Sequence, residues 1–189
     1  DFQHALAWKI KEKYPNAEIR LEYPFRFLED KEPKPFYLDI FIKLDNKKIG
    51  IELKYKTKKF DGKIKGEEYH LTDQGAQDWG RYDFCKDIFR IEKLLKKKYL
   101  DEGFVIFLTN DDLYQKDTEK ACDKNFRTID GKTLGGKLDW HPKPPKWTVG
   151  RGELILQEKY LLNWQQIKSD IPFKLLIVEV NKRKDVEEE

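Results

Sequence analysis

The strongest constraint on the fold is a pair of alternating apolar runs separated by a short polar segment. Residues 36–44 and 49–55 each carry an apolar side chain at every second position, which is the pattern of a β-strand with one buried face. The polar residues 45–48 between them predict a tight turn. The two runs are therefore expected to pair as an antiparallel hairpin with one apolar and one polar face.

The polar face of this predicted hairpin brings three charged side chains together. If the hairpin closes with Leu44 opposite Ile49, Asp39 lies directly opposite Lys54, and Glu52 is its diagonal neighbour. Opposed residues have Cβ atoms about 5 Å apart, and diagonal ones about 7–8 Å apart. The register thus predicts two carboxylates and one ammonium group on the same face of a sheet.

Such a group of side chains suits a hard divalent cation. Mg²⁺ prefers oxygen ligands and often binds through one or two carboxylates, with water and substrate phosphate completing its coordination. Asp39 and Glu52 would supply carboxylates, the main-chain carbonyl of Leu53 would supply a further oxygen, and Lys54 would orient water or stabilise negative charge. The alternative interpretation is a solvated cross-strand salt bridge, which is common and individually weak.

The periodicity of the rest of the chain predicts the surroundings of the hairpin. Before the hairpin, an apolar stripe at helical spacing predicts a helix. After the hairpin and a second helix, a run that is apolar on both faces predicts a strand buried between layers. The predicted elements are a helix ending near Tyr14, a strand over residues 19–27, the hairpin, a charged loop over 57–73, a helix over 77–99 and a strand over 104–108.

In this order of elements, Asp39 followed by Glu52-Leu53-Lys54 resembles the PD-(D/E)XK nuclease superfamily, which includes many restriction endonucleases. The resemblance implies an α/β fold with a restriction-endonuclease-like α-β-β-β-α-β core, in which a mixed central sheet is flanked by helices. It also implies DNA cleavage with Mg²⁺, with Asp39 and Glu52 as metal ligands and Lys54 as the catalytic lysine. Leu38 stands where the family name has proline.

The second helix and one further acid complete the predicted site. The apolar stripe of that helix continues toward its N-terminus through Arg81 and Gln77, which are therefore expected to point toward the hairpin. The resemblance adds a glutamine near the active site, so Gln77 is predicted to assist catalysis and Arg81 to contact nucleic acid. It also implies another acidic metal ligand, either Glu12 or Glu22, with Glu22 favoured because an alternating strand fixes its direction.

The charge distribution adds a candidate surface for a polyanion. Charged residues make up 39% of the chain, but the net charge of +3 is too small to indicate nucleic acid by itself. Lysines follow the hairpin closely, and Lys56, Lys58 and Lys59 are predicted to contact a phosphate backbone. The alternative is an ordinary solvated lysine-rich loop.

The 189 residues are predicted to form a single domain over 1–189. Residues 110–151 interrupt the periodicity with glycine and proline and are interpreted as a loop-rich insertion before the last strands. Its tryptophans either stack on nucleic acid or fold the insertion back onto the sheet as a hydrophobic plug. The hydrophobic plug is the favoured interpretation. A final strand is expected over 173–180, with a charged tail over 181–189.

The two cysteines, Cys85 and Cys122, form no disulfide framework or zinc pattern, and no apolar run is long enough to span a membrane. A cytoplasmic protein without a membrane partner is expected. The prediction is a nuclease that uses Mg²⁺ or Mn²⁺ to hydrolyse phosphodiester bonds, with DNA as the expected substrate. Cleavage of both strands would suggest a homodimer. The alternative is a non-catalytic nucleic-acid-binding module on the same fold.

Overall fold

A computed structural model describes residues 2–26, 35–117 and 121–180. Two α-helices, ten β-strands and three short 3₁₀ turns make up the regular structure of these residues. The helices and strands are α1 (Phe2–Lys13), β1 (Glu18–Phe25), β2 (Phe36–Leu44), β3 (Lys47–Lys56), β4 (Phe60–Ile64), β5 (Glu67–Leu71), α2 (Gln77–Lys96), β6 (Glu102–Thr109), β7 (Thr133–Leu138), β8 (Leu154–Leu161), β9 (Trp164–Gln166) and β10 (Lys174–Val180).

The main sheet has six strands within the described residues, in the order β1-β2-β3-β6-β10-β9. Strands β3 and β6 pair in parallel, and the other neighbours in this sheet pair antiparallel. Strands β4 and β5 form one separate hairpin, and β7 and β8 form another two-stranded sheet. The predicted α/β class with a mixed sheet is confirmed, and so is the final strand.

Two hydrophobic cores hold the helices against opposite faces of the main sheet. On one face α1 packs over the sheet, and on the other α2 does so, which places the sheet between helices as predicted. The α1-side core includes Ala7, Ala17, Ile40, Ile42 and Ile51. The α2-side core includes Leu38, Phe41, Phe84, Ile88, Ile91, Val105 and Phe107.

The predicted register of the β2–β3 hairpin is wrong. Leu44 pairs with Lys47, and Ile40 pairs with Ile51, so the turn contains two residues rather than four. Asp45 and Asn46 both have positive φ, 48° and 65°, which is the conformation of a type I′ turn and matches the right-handed twist of paired strands.

The register shift changes which side chain lies beside Asp39. Continuing the observed pairing by one residue sets Asp39 level with Glu52 instead of Lys54, which becomes the diagonal neighbour. Both carboxylates are thus closer together than the sequence predicted.

The predicted face of β2 is also wrong in part, because the strand changes faces at Asp39. Phe36 and Leu38 join the α2-side core, whereas Ile40 belongs to the α1-side core. On the neighbouring strand, Glu22 has a left-handed backbone with φ of 49°, and paired residues flank it on both sides. A left-handed residue breaks the simple alternation of a strand, so the two strands switch faces together at this point.

Residues 57–73 were predicted to be a charged loop, but most of them form the β4–β5 hairpin. Lys65 and Gly66 occupy its turn with φ of 49° and 88°. The ion pair of Lys59 with Asp61 and the register position of Lys63 opposite Glu68 offset part of the positive charge of this segment.

The insertion over 110–151 is more ordered than its composition predicted. Strand β7 lies within it and pairs with β8. Trp140 is buried and stacks on Tyr82 of α2, with ring centroids 5.6 Å apart, which confirms the plug interpretation for this tryptophan. Phe27, at the end of the first predicted strand, and the tail over 181–189 lie outside the described residues. No helix in the described part of the chain is long and apolar enough to cross a membrane.

Candidate functional site

Five charged residues from β2, β3 and α2 meet on the α2 side of the main sheet. Strand β3 directs Ile51 and Leu53 toward α1, so the residues between and after them face α2. We call this group the hairpin–helix cluster; its members are Asp39, Glu52, Lys54, Asp87 and Arg90.

Asp39 is fixed at the point where β2 changes faces. Its Oδ2 accepts a hydrogen bond from the main-chain amide of Leu53, with N and O 2.6 Å apart. The Nε2 of Gln3 on α1 donates both to the main-chain oxygen of Asp39, at 2.7 Å, and to Oε1 of Glu22, at 3.0 Å. Burial raises the pKa of Asp39, although the Leu53 and Glu52 hydrogen bonds oppose this, and the charge of Glu22 adds to the rise.

Glu52 is a buried acid close to two other acids. It is only 4% exposed, and burial together with the negative charges of Asp87 and Asp39 raises its pKa to about 9. Arg90 lies nearby, with its Nη1 4.0 Å from Oε1 of Glu52. In the described residues that oxygen has no hydrogen-bond partner. A buried carboxylate with an unpartnered oxygen needs either a proton or a cation.

Lys54 is held by an acid on α2. Its Nζ lies 2.8 Å from Oδ2 of Asp87, and Arg90 Nη1 lies 3.3 Å from the other oxygen of the same carboxylate. Burial by itself lowers the pKa of Lys54, but the charge and hydrogen bond of Asp87 outweigh it, with help from Asp83, so the pKa is raised. Burial raises the pKa of Asp87, and the two cations offset part of that rise.

Sequence reasoning missed Asp87 and Arg90. Asp87 falls between Phe84 and Ile88 in the apolar stripe of α2, at a spacing that puts it on the sheet-facing side. An acid at a core position of an amphipathic helix is costly unless it is paired, and this was the signal in the sequence.

The two residues predicted at the start of α2 lie outside the cluster. Gln77 donates a hydrogen bond from Nε2 to Oδ2 of Asp111, at 2.9 Å, just beyond the end of β6. Arg81 is only 4% exposed and forms an ion pair with Asp123 at 2.7 Å, while its Nη2 donates to the main-chain oxygen of Leu113. A guanidinium buried in this way links the insertion to α2 and presents little surface to a nucleic acid.

The two candidates for a further acid differ in position. Glu22 lies beside Asp39 through their common partner Gln3. Glu12 is bonded to its own helix, accepting hydrogen bonds from Trp8 Nε1 and Lys9 Nζ, both at 2.7 Å. Of the two, Glu22 is the one joined to the cluster by a described contact.

The lysines that were predicted to contact phosphate lie at the end of β3 and in the segment just after it. Lys56 ends β3, and Lys58 is exposed, its main-chain N–H and C=O hydrogen-bonded to the side chain of Asn110. Lys59 is exposed and lies 3.1 Å from Asp61. Of the three lysines, Lys59 is therefore paired with an acid, whereas Lys56 and Lys58 lie at the end of β3 and just after it.

The acids of the cluster fit a divalent cation only as a partial site. Among the described residues, no three acidic, histidine or cysteine side chains are arranged to hold one metal ion together. Mg²⁺ is often bound through one or two carboxylates, and the adjacent Asp39 and Glu52 provide these. Oε1 of Glu52, which accepts no hydrogen bond within the described residues, is an atom that a bound cation would satisfy.

Comparison of the chain with protein-family models finds no match. Comparisons with curated proteins and with solved structures find no match either. The resemblance to PD-(D/E)XK nucleases therefore stays a prediction, carried by the residues of the cluster and the order of the elements around it.

Proposed function

We propose that this protein is a nuclease that hydrolyses phosphodiester bonds, with DNA as its substrate and Mg²⁺ or Mn²⁺ as its cofactor. The observation that carries the proposal is the buried carboxylate of Glu52, which lies beside Asp39 and has one oxygen without a hydrogen-bond partner in the described structure. The order α1-β1-β2-β3-α2-β6, with the β4–β5 hairpin inserted, supports a restriction-endonuclease-like core.

In this proposal Asp39 and Glu52 hold the metal ion, and Glu22, which shares the partner Gln3 with Asp39, is the candidate for a further acid. A divalent cation in such a site makes water more acidic and neutralises negative charge that develops on a phosphoryl oxygen. Two buried carboxylates side by side cost free energy unless a cation neutralises them. The arrangement therefore favours a cation-binding site over a purely structural role.

Lys54 is the proposed catalytic cation. Asp87 lies 2.8 Å from its Nζ, which keeps the amine protonated and holds it within the hairpin–helix cluster. A fixed positive charge in a buried site stabilises a developing oxyanion more effectively than a mobile one in water. Asp87 is then a positioning residue for Lys54, and Arg90 shares that carboxylate from the other side.

The test is cleavage of labelled single-stranded DNA, duplex DNA and RNA with Mg²⁺, Mn²⁺ or EDTA. Lys54→Ala and Glu52→Gln are each expected to reduce the rate by roughly 100-fold or more, because each removes a group that acts in the transition state. Lys43→Ala, an exposed residue of the same hairpin, is the matched control and should cleave like the wild type.

Metal binding is measured separately by calorimetric titration of Mn²⁺. Asp39→Asn and Glu52→Gln should each abolish most of the heat of binding, while Lys43→Ala should not. Binding of DNA by the wild type without cleavage under any metal condition would support a non-catalytic binding module instead. Equal cleavage by the wild type and Lys54→Ala would place the activity in a contaminant.

A further inference from the structure

Two half-exposed tryptophans lie side by side at the start of α2. Trp79 is 37% exposed and Trp147 is 43% exposed, and their ring centroids are 6.2 Å apart. One comes from the helix and the other from the insertion, so two distant parts of the chain build a single surface. Adjacent large aromatic rings left at the surface of a domain commonly mark a binding site.

The rings are held in place from beneath. Buried Trp140 stacks on Tyr82 and meets Trp147 nearly edge-on, with centroids 5.5 Å apart. The indole Nε1 of Trp140 donates a hydrogen bond to the main-chain oxygen of Arg151 at 2.7 Å. The insertion therefore presents Trp147 and Arg151 from a fixed support, and a surface that is already formed loses little entropy when a ligand binds.

The aromatic surface carries positive charge. The guanidinium of Arg151 lies over the ring of Trp79, 3.9 Å from its centroid, and its Nε is 3.7 Å from Oδ1 of Asp83. Lys143 and Lys146 are exposed on the same insertion. A mixture of indole faces and basic groups matches a nucleic acid strand, whose bases stack and whose phosphates are negative.

The surface is connected to the hairpin–helix cluster along α2. Trp79, Asp83 and Asp87 recur every four residues and so share a face of the helix. Asp87 contacts the lysine of the cluster, with its Oδ2 2.8 Å from Nζ of Lys54. Eight residues of helix span about 12 Å, a length that about three to four nucleotides of a stacked strand cover.

We propose that this indole surface, made of Trp79, Trp147 and Arg151, binds an unpaired base of a nucleic acid strand whose backbone continues into the cluster. The inference rests on the proposed nuclease function and names its substrate class. In a duplex interior both faces of each base are already stacked, so only a single strand or an opened end offers a free face. The preferred substrate is therefore single-stranded or frayed nucleic acid.

The test measures binding of a short labelled single-stranded DNA and of a blunt duplex, by fluorescence anisotropy in EDTA, so that no cleavage intervenes. Trp147→Ala should weaken binding of the single strand about tenfold and binding of the duplex less than about twofold. Trp147→Tyr keeps an aromatic face and should retain most of the affinity. Trp8→Ala, which removes a 65% exposed tryptophan from α1, is the matched control and should bind like the wild type.

Trp79→Ala is a second variant in case Trp147→Ala is misfolded, as judged by its thermal unfolding. Unchanged single-strand affinity in both folded variants would overturn the inference, and so would the absence of any single-strand binding by the wild type. If the surface instead joins two copies of the chain, Trp147→Ala will lower the mass measured by sedimentation without changing affinity for DNA, which also overturns it.

The outcome also separates this inference from the nuclease proposal. Trp147-dependent binding by a protein that never cleaves would leave the base-binding surface standing and refute the catalytic proposal. Metal-dependent cleavage and DNA binding that both tryptophan substitutions leave unchanged would support the nuclease proposal and refute the base-binding surface.

Discussion

Two buried glutamates of this protein have opposite surroundings. Glu92 on α2 accepts hydrogen bonds from the main-chain amides of Gln157 and Glu158 and from the hydroxyl of Tyr160, all between 2.9 and 3.0 Å. Glu52 on β3 lies beside the carboxylates of Asp39 and Asp87, and in the part of the chain that the structure describes its Oε1 accepts no hydrogen bond, with only the guanidinium of Arg90 4.0 Å away.

The difference separates a carboxylate that holds two elements together from the one that we propose binds a cation. Three donors solvate Glu92 in place of water, so its charge fastens α2 to β8. Glu52 lies beside other acids, an arrangement that reduces the stability of the fold and that the proposed cation would offset. Burial alone, 7% exposure for one and 4% for the other, does not distinguish them; their partners do.

The largest stability effect is expected for Glu92→Gln. The amide NH₂ would replace Oε2 and face the main-chain N–H of Gln157, which would keep only its bond to Oε1, and the charge-assisted bonds to the carboxylate would weaken. We expect the free energy of unfolding to fall by roughly 2–4 kcal/mol. Chemical denaturation monitored by tryptophan fluorescence measures this, and an unchanged midpoint would show that the contact with β8 contributes no stability.

The same substitution at Glu52 should have the opposite sign. In metal-free protein at pH 8, the folded wild type must keep Glu52 protonated although an exposed carboxyl would be ionised, whereas glutamine is neutral in both states, so we expect Glu52→Gln to stabilise the protein by roughly 1–3 kcal/mol. Because the pKa of Glu52 is about 9 when folded and 4.5 ordinarily, the wild type loses stability as pH rises between these values.

The advantage of Glu52→Gln should therefore be small below pH 4.5 and grow toward pH 9. Denaturation curves in EDTA at several pH values measure this trend, with Glu92→Gln as the comparison. A variant that is less stable than the wild type at every pH would mean that Glu52 is a structural residue like Glu92.

The smallest effect is expected for Tyr160→Phe, which removes one donor to Glu92 and keeps the ring. Both main-chain amides continue to bind the carboxylate, so we expect a loss of about 1 kcal/mol. In a double-mutant cycle with Glu92→Gln, the two losses should not add, because both changes act on the same carboxylate. Strict additivity would show that the hydroxyl contributes elsewhere.

The sequence predicted the elements better than the contacts between them. Alternation along β3 correctly placed Ile51 and Leu53 on one face and Glu52 on the other, because that pattern depends only on the strand itself. The register depended on the turn. Asp45 and Asn46 tolerate a left-handed backbone, which allows two residues to close the hairpin where four were expected.

The candidate site was predicted in its sheet half and missed in its helix half. Asp39, Glu52 and Lys54 follow from strand geometry, whereas the approach of Asp87 depends on how α2 rotates over the sheet. Gln77 and Arg81 share that stripe but contact Asp111 and Asp123, residues of the insertion. A single sequence does not determine which segment covers which turn of a buried helix.

The contact between Glu92 and β8 has a consequence for how variation in this protein can be interpreted. Glu92 lies five residues beyond Asp87 on the same helix, so the β7–β8 sheet helps to set the axial position of α2 and with it the reach of Asp87 to Lys54. Altering β8 would leave every charged group of the cluster intact while loosening its alignment. A substitution far from the cluster would then mimic a defect in chemistry, and only a structure of the variant would tell the two apart.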